Sequence, residues 1–171
     1  KGIGIGIYSA AIKKGQLPDA AYKEMIASTT QLNRIGSRLG AEAAVSAMTD
    51  VTGFGILGHS LEMARGAGAT VRLDGSVLPF LENAAELAQA GFVTGASHRN
   101  WSSYGKHIVL AEETEDWRRH LLTDPQTSGG LLVAVAPDQV DRLLDVIREA
   151  GHARAAIIGT VEAGEAQVIV S

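Results

Sequence analysis

Isoleucine at 3, 5 and 7 alternates with glycine at 2, 4 and 6, a two-residue period that predicts a strand over residues 1–8. One face of it is apolar and the other bare. Repeated glycine there points either to a close approach by backbone or ligand, or to an edge strand packed under a helix. Residues 9–17 read as a connection. Pro18 suits a first helical turn, and residues 19–26 continue as a helix with Tyr22, Met25 and Ile26 on one packing face. Ser28-Thr29-Thr30 interrupts. A second helix over 31–39 turns Leu32, Ile35 and Leu39 inward, with Asn33 near that face, and Gly40 stops it.

A short apolar run at 43–47 predicts a strand. Leu57, Leu61 and Ala64 then follow a helical period that ends at Gly66. Residues 69–73 predict a strand closed by the turn signal Asp74-Gly75. Pro79 opens a helix with a stripe of Leu81, Ala84, Ala85 and Ala88, ended by Gly91. No period fits residues 92–104, which read as an irregular loop carrying Arg99 and Asn100. Residues 106–111 predict a strand. Residues 112–122 run from acidic to basic, as a helix dipole favours. The continuous apolar run at 131–135 predicts a strand buried on both faces. Pro137 opens a helix carrying Val140, Leu143, Leu144, Ile147 and Ala150, closed by Gly151. The end of the chain reads as a hairpin around Glu162-Ala163-Gly164-Glu165. These elements predict a single α/β domain, of α+β type, with a mixed sheet covered by helices.

Composition narrows the function classes. A length of 171 residues with 46% hydrophobic and 20% charged residues suits one globular domain. A formal charge of −4 and the lack of a basic run argue against non-specific nucleic-acid binding. Without cysteine the chain has no disulfide, thiolate nucleophile or cysteine metal site. No apolar run approaches the roughly 20 residues that span a bilayer. A cytoplasmic location is the expectation. Lys1 rather than Met opens the chain, consistent with a fragment or a processed form.

Two dense motifs carry the candidate chemistry. The first is Met48-Thr49-Asp50-Val51-Thr52-Gly53-Phe54-Gly55-Ile56-Leu57-Gly58-His59, read as strand, glycine-rich turn and helix N-terminus. Free backbone amides at such a place accept anions, and Asp50 at the strand end reaches a hard cation such as Mg²⁺. The same residues also suit a helix cap and a tight turn. The second is Thr123-Asp124-Pro125-Gln126-Thr127-Ser128-Gly129-Gly130, a polar cluster feeding a core strand. It is either a ligand-lining loop or a loop whose Asp124 and Ser128 cap nearby backbone.

Together these motifs resemble the selenophosphate synthetase (selenide, water dikinase) family, as do Leu32-Asn33 and Arg99-Asn100. The opening Lys1-Gly2-Ile3-Gly4-Ile5-Gly6-Ile7 is similar to the segment that joins the family's two domains, usually Lys-Pro-Leu-Gly-Thr-Gly. Proline is absent here at position 2, and Ile5 replaces the threonine. The resemblance covers the C-terminal half of the family. It implies the C-terminal domain fold of the aminoimidazole ribonucleotide synthetase superfamily over 1–171, with 1–15 as interdomain segment and first strand. It implies a full enzyme that converts selenide, ATP and water to selenophosphate, AMP and phosphate with Mg²⁺, as a homodimer. Asp50 is then the metal ligand. Thr49 and Gly53, with the amides after it, join Asp50 as nucleotide-site residues. The nucleophile and the other metal aspartates belong to the absent N-terminal domain, so no catalytic residue is assigned here and the chain alone is expected to be inactive. The alternatives are another ATP-dependent member of the superfamily and a non-catalytic binding or assembly module of the same fold.

Overall fold

The computed structural model describes all residues, 1–171. The elements in chain order are helices α1 (Ile5–Lys13), α2 (Asp19–Thr30) and α3 (Ile35–Leu39), strand β1 (Val45–Asp50), helix α4 (Gly55–Ala67) and strand β2 (Ala69–Leu73). Helices α5 (Ala84–Gln89) and α6 (Gly95–Tyr104), strand β3 (Ile108–Leu110), helix α7 (Asp116–Leu122) and strand β4 (Leu131–Val135) follow. Helix α8 (Val140–Glu149) and strands β5 (Gly159–Ala163) and β6 (Gln167–Val170) close the chain.

The strands make a four-stranded mixed sheet, in the order β3-β6-β2-β5, and a separate two-stranded ribbon, β1-β4. In the sheet, β2 and β3 run parallel to β6, while β5 is antiparallel to β2. Leu57, Leu61 and Ala64 of α4 are buried with Val71, Leu73 and Val168 of the sheet in one core. A second core joins α1, α5 and α7 through Ile5, Ile7, Tyr8, Ala84 and Leu121. The mixed sheet under helices is therefore as expected, and α4, β2 and α8 lie where the periodicity put them.

Several elements differ from the expectation, each for a physical reason. The opening strand is a helix. Only Ile3 keeps a strand-like contact, an isolated parallel bridge to Phe80. From Ile5 the chain coils because distant side chains bind its first amides: Gly4 and Ile5 N–H donate to Gln126 Oε1 at 3.1 and 3.2 Å, and Gly6 N–H donates to Asp124 Oδ2 at 2.8 Å. A Cβ on Gly6 would lie 2.3 Å from Asp124 Oδ1, so glycine there permits the close approach.

Ser28-Thr29-Thr30 does not interrupt α2. Thr29 and Thr30 hydroxyls donate to the carbonyls of Met25 (2.8 Å) and Ile26 (2.7 Å) one turn back, so the helix continues. Its expected packing face is largely open, with Tyr22 50% and Ile26 43% exposed. The second helix shortens to α3 and leaves Leu32 exposed. The helix expected from Pro79 starts at Ala84, because residues 79–81 are held extended against Ile3: the Pro79 carbonyl accepts from Ile3 N–H at 2.8 Å, and Leu81 N–H donates to Ile3 O at 2.9 Å.

Residues 92–104 are not a loop. Thr94 Oγ1 accepts the Ser97 amide at 3.1 Å and caps α6. The inward residues of α6 are Ser97, Asn100 and Tyr104, so no apolar stripe marks it. Strand β4 is not buried on both faces, because it lies in a two-stranded ribbon whose only buried β4 residue is Leu132. The terminal strands do not form a hairpin, since β2 lies between β5 and β6.

Candidate functional site

Strand β1 carries Asp50 to the end of the ribbon, opposite Leu131 of β4. The Asp50 side chain is exposed and makes no hydrogen bond or ion pair, while the half-buried Thr49 hydroxyl donates to Asp50 O at 3.2 Å. The chain then turns through Val51–Phe54 into α4. Donors from behind hold this turn. The Gln126 amide donates to Thr52 O at 2.9 Å. Asn100 Nδ2 donates to Gly53 O at 2.9 Å and to Thr123 O at 3.0 Å. Tyr104 Oη donates to Phe54 O at 2.5 Å.

With three successive carbonyls engaged from inside, the amides of Gly53 and Phe54 donate to no acceptor in the chain. Gly53 also lies in open space, where an added Cβ would meet nothing within 4 Å. Three features therefore meet at one place: an unpaired carboxylate, unpaired amides at a helix N-terminus, and a backbone that a ligand can approach. Amides of this kind suit phosphate oxygens, and the carboxylate suits a hard cation. No group of three or more His, Cys, Asp or Glu side chains could hold a metal ion. The chain therefore offers a single free carboxylate here, of a kind that suits a hard cation, and not a whole cage.

Gly55 locks the turn. Its φ of +69° is left-handed, and a Cβ there would lie 2.8 Å from the carbonyl carbon of Thr123. Gly55→Ala is expected to destabilise the fold by about 3 kcal/mol, from the left-handed penalty together with overpacking. Gly53→Ala, in open space, is expected to change stability by under about 0.5 kcal/mol. Urea unfolding of the two variants checks the contrast.

The second motif braces the first. A Cβ on Gly129 would lie 1.9 Å from Val51 O, so the two backbones touch. Asn33 Nδ2 donates to Gly129 O at 2.8 Å. The Asp124 and Gln126 side chains turn away from Asp50 and cap α1. Burial pushes the Asp124 carboxyl up to about 7, against the lowering effect of hydrogen bonds from Gln126 and the Gly6 amide to Oδ2 and of the nearby Ile7 amide. Its Oδ1 has no partner. Arg99 stands exposed on α6, outside every hydrogen bond and ion pair of the structure.

The supports missed in the sequence are Ser97, Tyr104 and His120, while Asn100 enters there only through the irregular stretch and the family resemblance. Ser97 Oγ lies 2.9 Å from His120 Nδ1 and 2.7 Å from Thr123 Oγ1, tying α6 to α7 behind the turn. Burial, then the neighbouring His98 and Arg119, hold the His120 imidazole below its ordinary value. Positions 97, 100 and 104 follow a helical period in polar residues, a signal that a search for apolar stripes passes over.

A cavity of about 730 Å³ lies elsewhere, between the ribbon, α8 and the segment before β5. Leu39, Met63, Leu144, Ile147 and Ile158 line it, and Thr49, Asp50 and Gly53 do not. Mostly apolar, it is a gap under the amphipathic α8 and lacks the chemistry assembled at Asp50.

The fold and the Asp50 turn define a class. The family described as AIR synthase related protein, C-terminal domain, matches residues 1–171, and the chain belongs to it. Within that class, similar curated proteins carry the name selenide, water dikinase. The chain is 58% identical over 170 residues to the one from Rhizobium meliloti (strain 1021), covering 99% of this chain and 49% of the relative. It is 52% identical over 170 residues to the one from Pseudomonas straminea, covering 99% and 48%. The chain thus spans about half the length of the curated relatives it matches. Among solved structures, thiamine-monophosphate kinase from Stenotrophomonas maltophilia K279a aligns with a TM-score of 0.64 at 18% identity, covering 99% of this chain and 48% of that one. Hydrogenase maturation protein HypE in complex with ATP aligns at 0.63 and 16% identity, covering 99% and 44%. These likenesses bear on the fold. No helix is long and apolar enough to cross a membrane.

Proposed function

We propose that this chain acts as the C-terminal half of a selenide, water dikinase, which makes selenophosphate, AMP and phosphate from selenide, ATP and water. The observation that carries the reading is the meeting of the free Asp50 carboxylate with the unpaired Gly53 and Phe54 amides, in a chain 58% identical to a protein of that name. Asp50 would hold Mg²⁺ jointly with carboxylates from the other half, and the bound ion would neutralise phosphate charge during transfer. Thr49 steadies the strand end, and the two amides receive phosphate oxygen. The thiol or selenol chemistry lies outside this chain, which has no cysteine. A cytoplasmic homodimer belongs to the same proposal.

The test is calorimetry of ATP with Mg²⁺, on this chain alone and on a protein carrying both halves. The expected result is silence from this chain and binding by the longer protein. Tight binding by this chain alone overturns the half-site reading, because a complete site would then exist within residues 1–171. Absence of binding by both favours the assembly module.

A further inference from the structure

One cluster beside the turn is unused by the reading above. Thr52 Oγ1 lies 3.2 Å from His59 Nε2, and His59 Nδ1 lies 2.8 Å from Glu62 Oε2. This is a hydroxyl, an imidazole and a carboxylate in series. His59 and Glu62 are three residues apart on α4, so they meet on one helix face. The His59 ring is buried, 5.7 Å from the Phe54 ring, while the Glu62 side chain is 53% exposed.

We propose that Glu62 and His59 are positioning residues for the Asp50 turn, acting through the hydroxyl of Thr52. The inference rests on the nucleotide-site reading and deepens it.

The chemistry follows from what each group can donate. An ionised carboxylate only accepts, so Glu62 places the imidazole proton on Nδ1. With that tautomer, Nε2 is an acceptor and the Thr52 hydroxyl is the donor across the 3.2 Å contact. The Thr52 proton is thereby committed inward, and its oxygen keeps lone pairs to offer. An oxygen of that kind, two residues after Asp50, suits the water shell of a hard cation, which presents protons outward, and not a phosphate oxygen. Without Glu62 the ring is free to take the other tautomer. Nε2–H would then donate to Thr52, and the hydroxyl would turn into a donor. Glu62 therefore sets the polarity of Thr52 through a buried ring, much as outer carboxylates orient metal-binding histidines. A solvent-facing pair of this spacing stabilises a helix only slightly, so stability gives little account of it.

The experiment uses a protein carrying both halves, with Glu62→Ala, Glu62→Gln, Thr52→Val and Thr52→Ser, and Asp50→Ala as a control. The readouts are the Mg²⁺ concentration needed for half-maximal ATP binding by calorimetry, and the thermal midpoint. Glu62→Ala and Thr52→Val are each expected to raise the Mg²⁺ requirement by about 10-fold. Glu62→Ala is expected to leave the midpoint within about 2 °C. Glu62→Gln, whose amide oxygen still accepts from Nδ1–H, and Thr52→Ser are expected to stay near the parent. An unchanged requirement in Glu62→Ala overturns the inference and leaves an ordinary surface pair. A loss in Glu62→Gln equal to that in Glu62→Ala also overturns it, since charge near the site would then be at work and not the tautomer. If Asp50→Ala binds as the parent does, the nucleotide reading itself fails and carries this inference with it.

Discussion

Asp50→Ala, in a protein carrying both halves, is expected to lower kcat/KM for ATP by about 10²- to 10³-fold, the usual cost of deleting one preorganised electrostatic partner. The same change is expected to leave the unfolding midpoint nearly unmoved. The contrast follows from geometry. The Asp50 side chain is exposed at the end of β1 and pairs with nothing in the chain, so the fold loses no contact with it. An unpaired carboxylate at the head of a helix gains from the α4 dipole only weakly, and its replacement costs a few tenths of a kcal/mol at most. Its environment is nevertheless costly to build. The Gln126 amide, Asn100 and Tyr104 hold the carbonyls of Thr52, Gly53 and Phe54, and Gly55 adopts a left-handed conformation against Thr123. Steady-state kinetics and a thermal melt on the same preparation decide the matter. A variant with full turnover ends the assignment of Asp50 as a ligand. A variant that has lost its midpoint points to a structural role instead.

How far the sequence revealed this depends on whether the deciding partner was near or far along the chain. Helix α8 was readable because Val140, Leu143, Leu144 and Ile147 repeat locally with the helical period, and β2 because Asp74-Gly75 closes it. The alternation of isoleucine and glycine at the start misled because two periods fit so short a run. Gln126 and Asp124, more than a hundred residues away, decide for helix by binding the first amides. Helix α6 hid because it turns Ser97, Asn100 and Tyr104 inward, and buried polar residues leave no hydrophobic stripe. The false hairpin at the end has a similar origin. β5 and β6 are adjacent in sequence, but Val71 of β2 lies between Val161 and Val168, a pairing that no local pattern encodes. In the site, the motif marked Asp50 and Gly53 directly. The residues that aim them, Asn100 and Tyr104, come from the stretch read as irregular.

The Asp124 carboxyl supplies the other large expected effect, and it concerns pH. Asp124 is fully buried, and burial holds its folded pKa at about 7, above the 3.8 of the free side chain. A raised acid pKa means that the folded state keeps a proton the unfolded state gives up. The stabilisation is therefore fully present below about pH 4 and is lost as the pH rises through about 7. Over that window the chain is expected to lose roughly 4 kcal/mol of stability from this group, at up to about 1.4 kcal/mol per pH unit. Asp124→Asn separates this contribution from other titrations. Its side-chain oxygen still accepts from Gly6 N–H and Gln126 Nε2, the two bonds that Oδ2 now receives. Its amide nitrogen takes the place of Oδ1, which has no partner. The variant is expected to resemble the parent near pH 4 and to exceed it in stability by a growing margin up to pH 8, with a flatter profile between. Asp124→Ala strands the Gly6 amide and frees Gln126, and is expected to cost about 2–3 kcal/mol at pH 5 and to fray the start of α1. Urea unfolding from pH 4 to 8 on the three proteins reads all of this. If the parent and Asp124→Asn run parallel across that range, Asp124 is ionised in the fold, and the hydrogen bonds from Gly6 and Gln126 outweigh its burial.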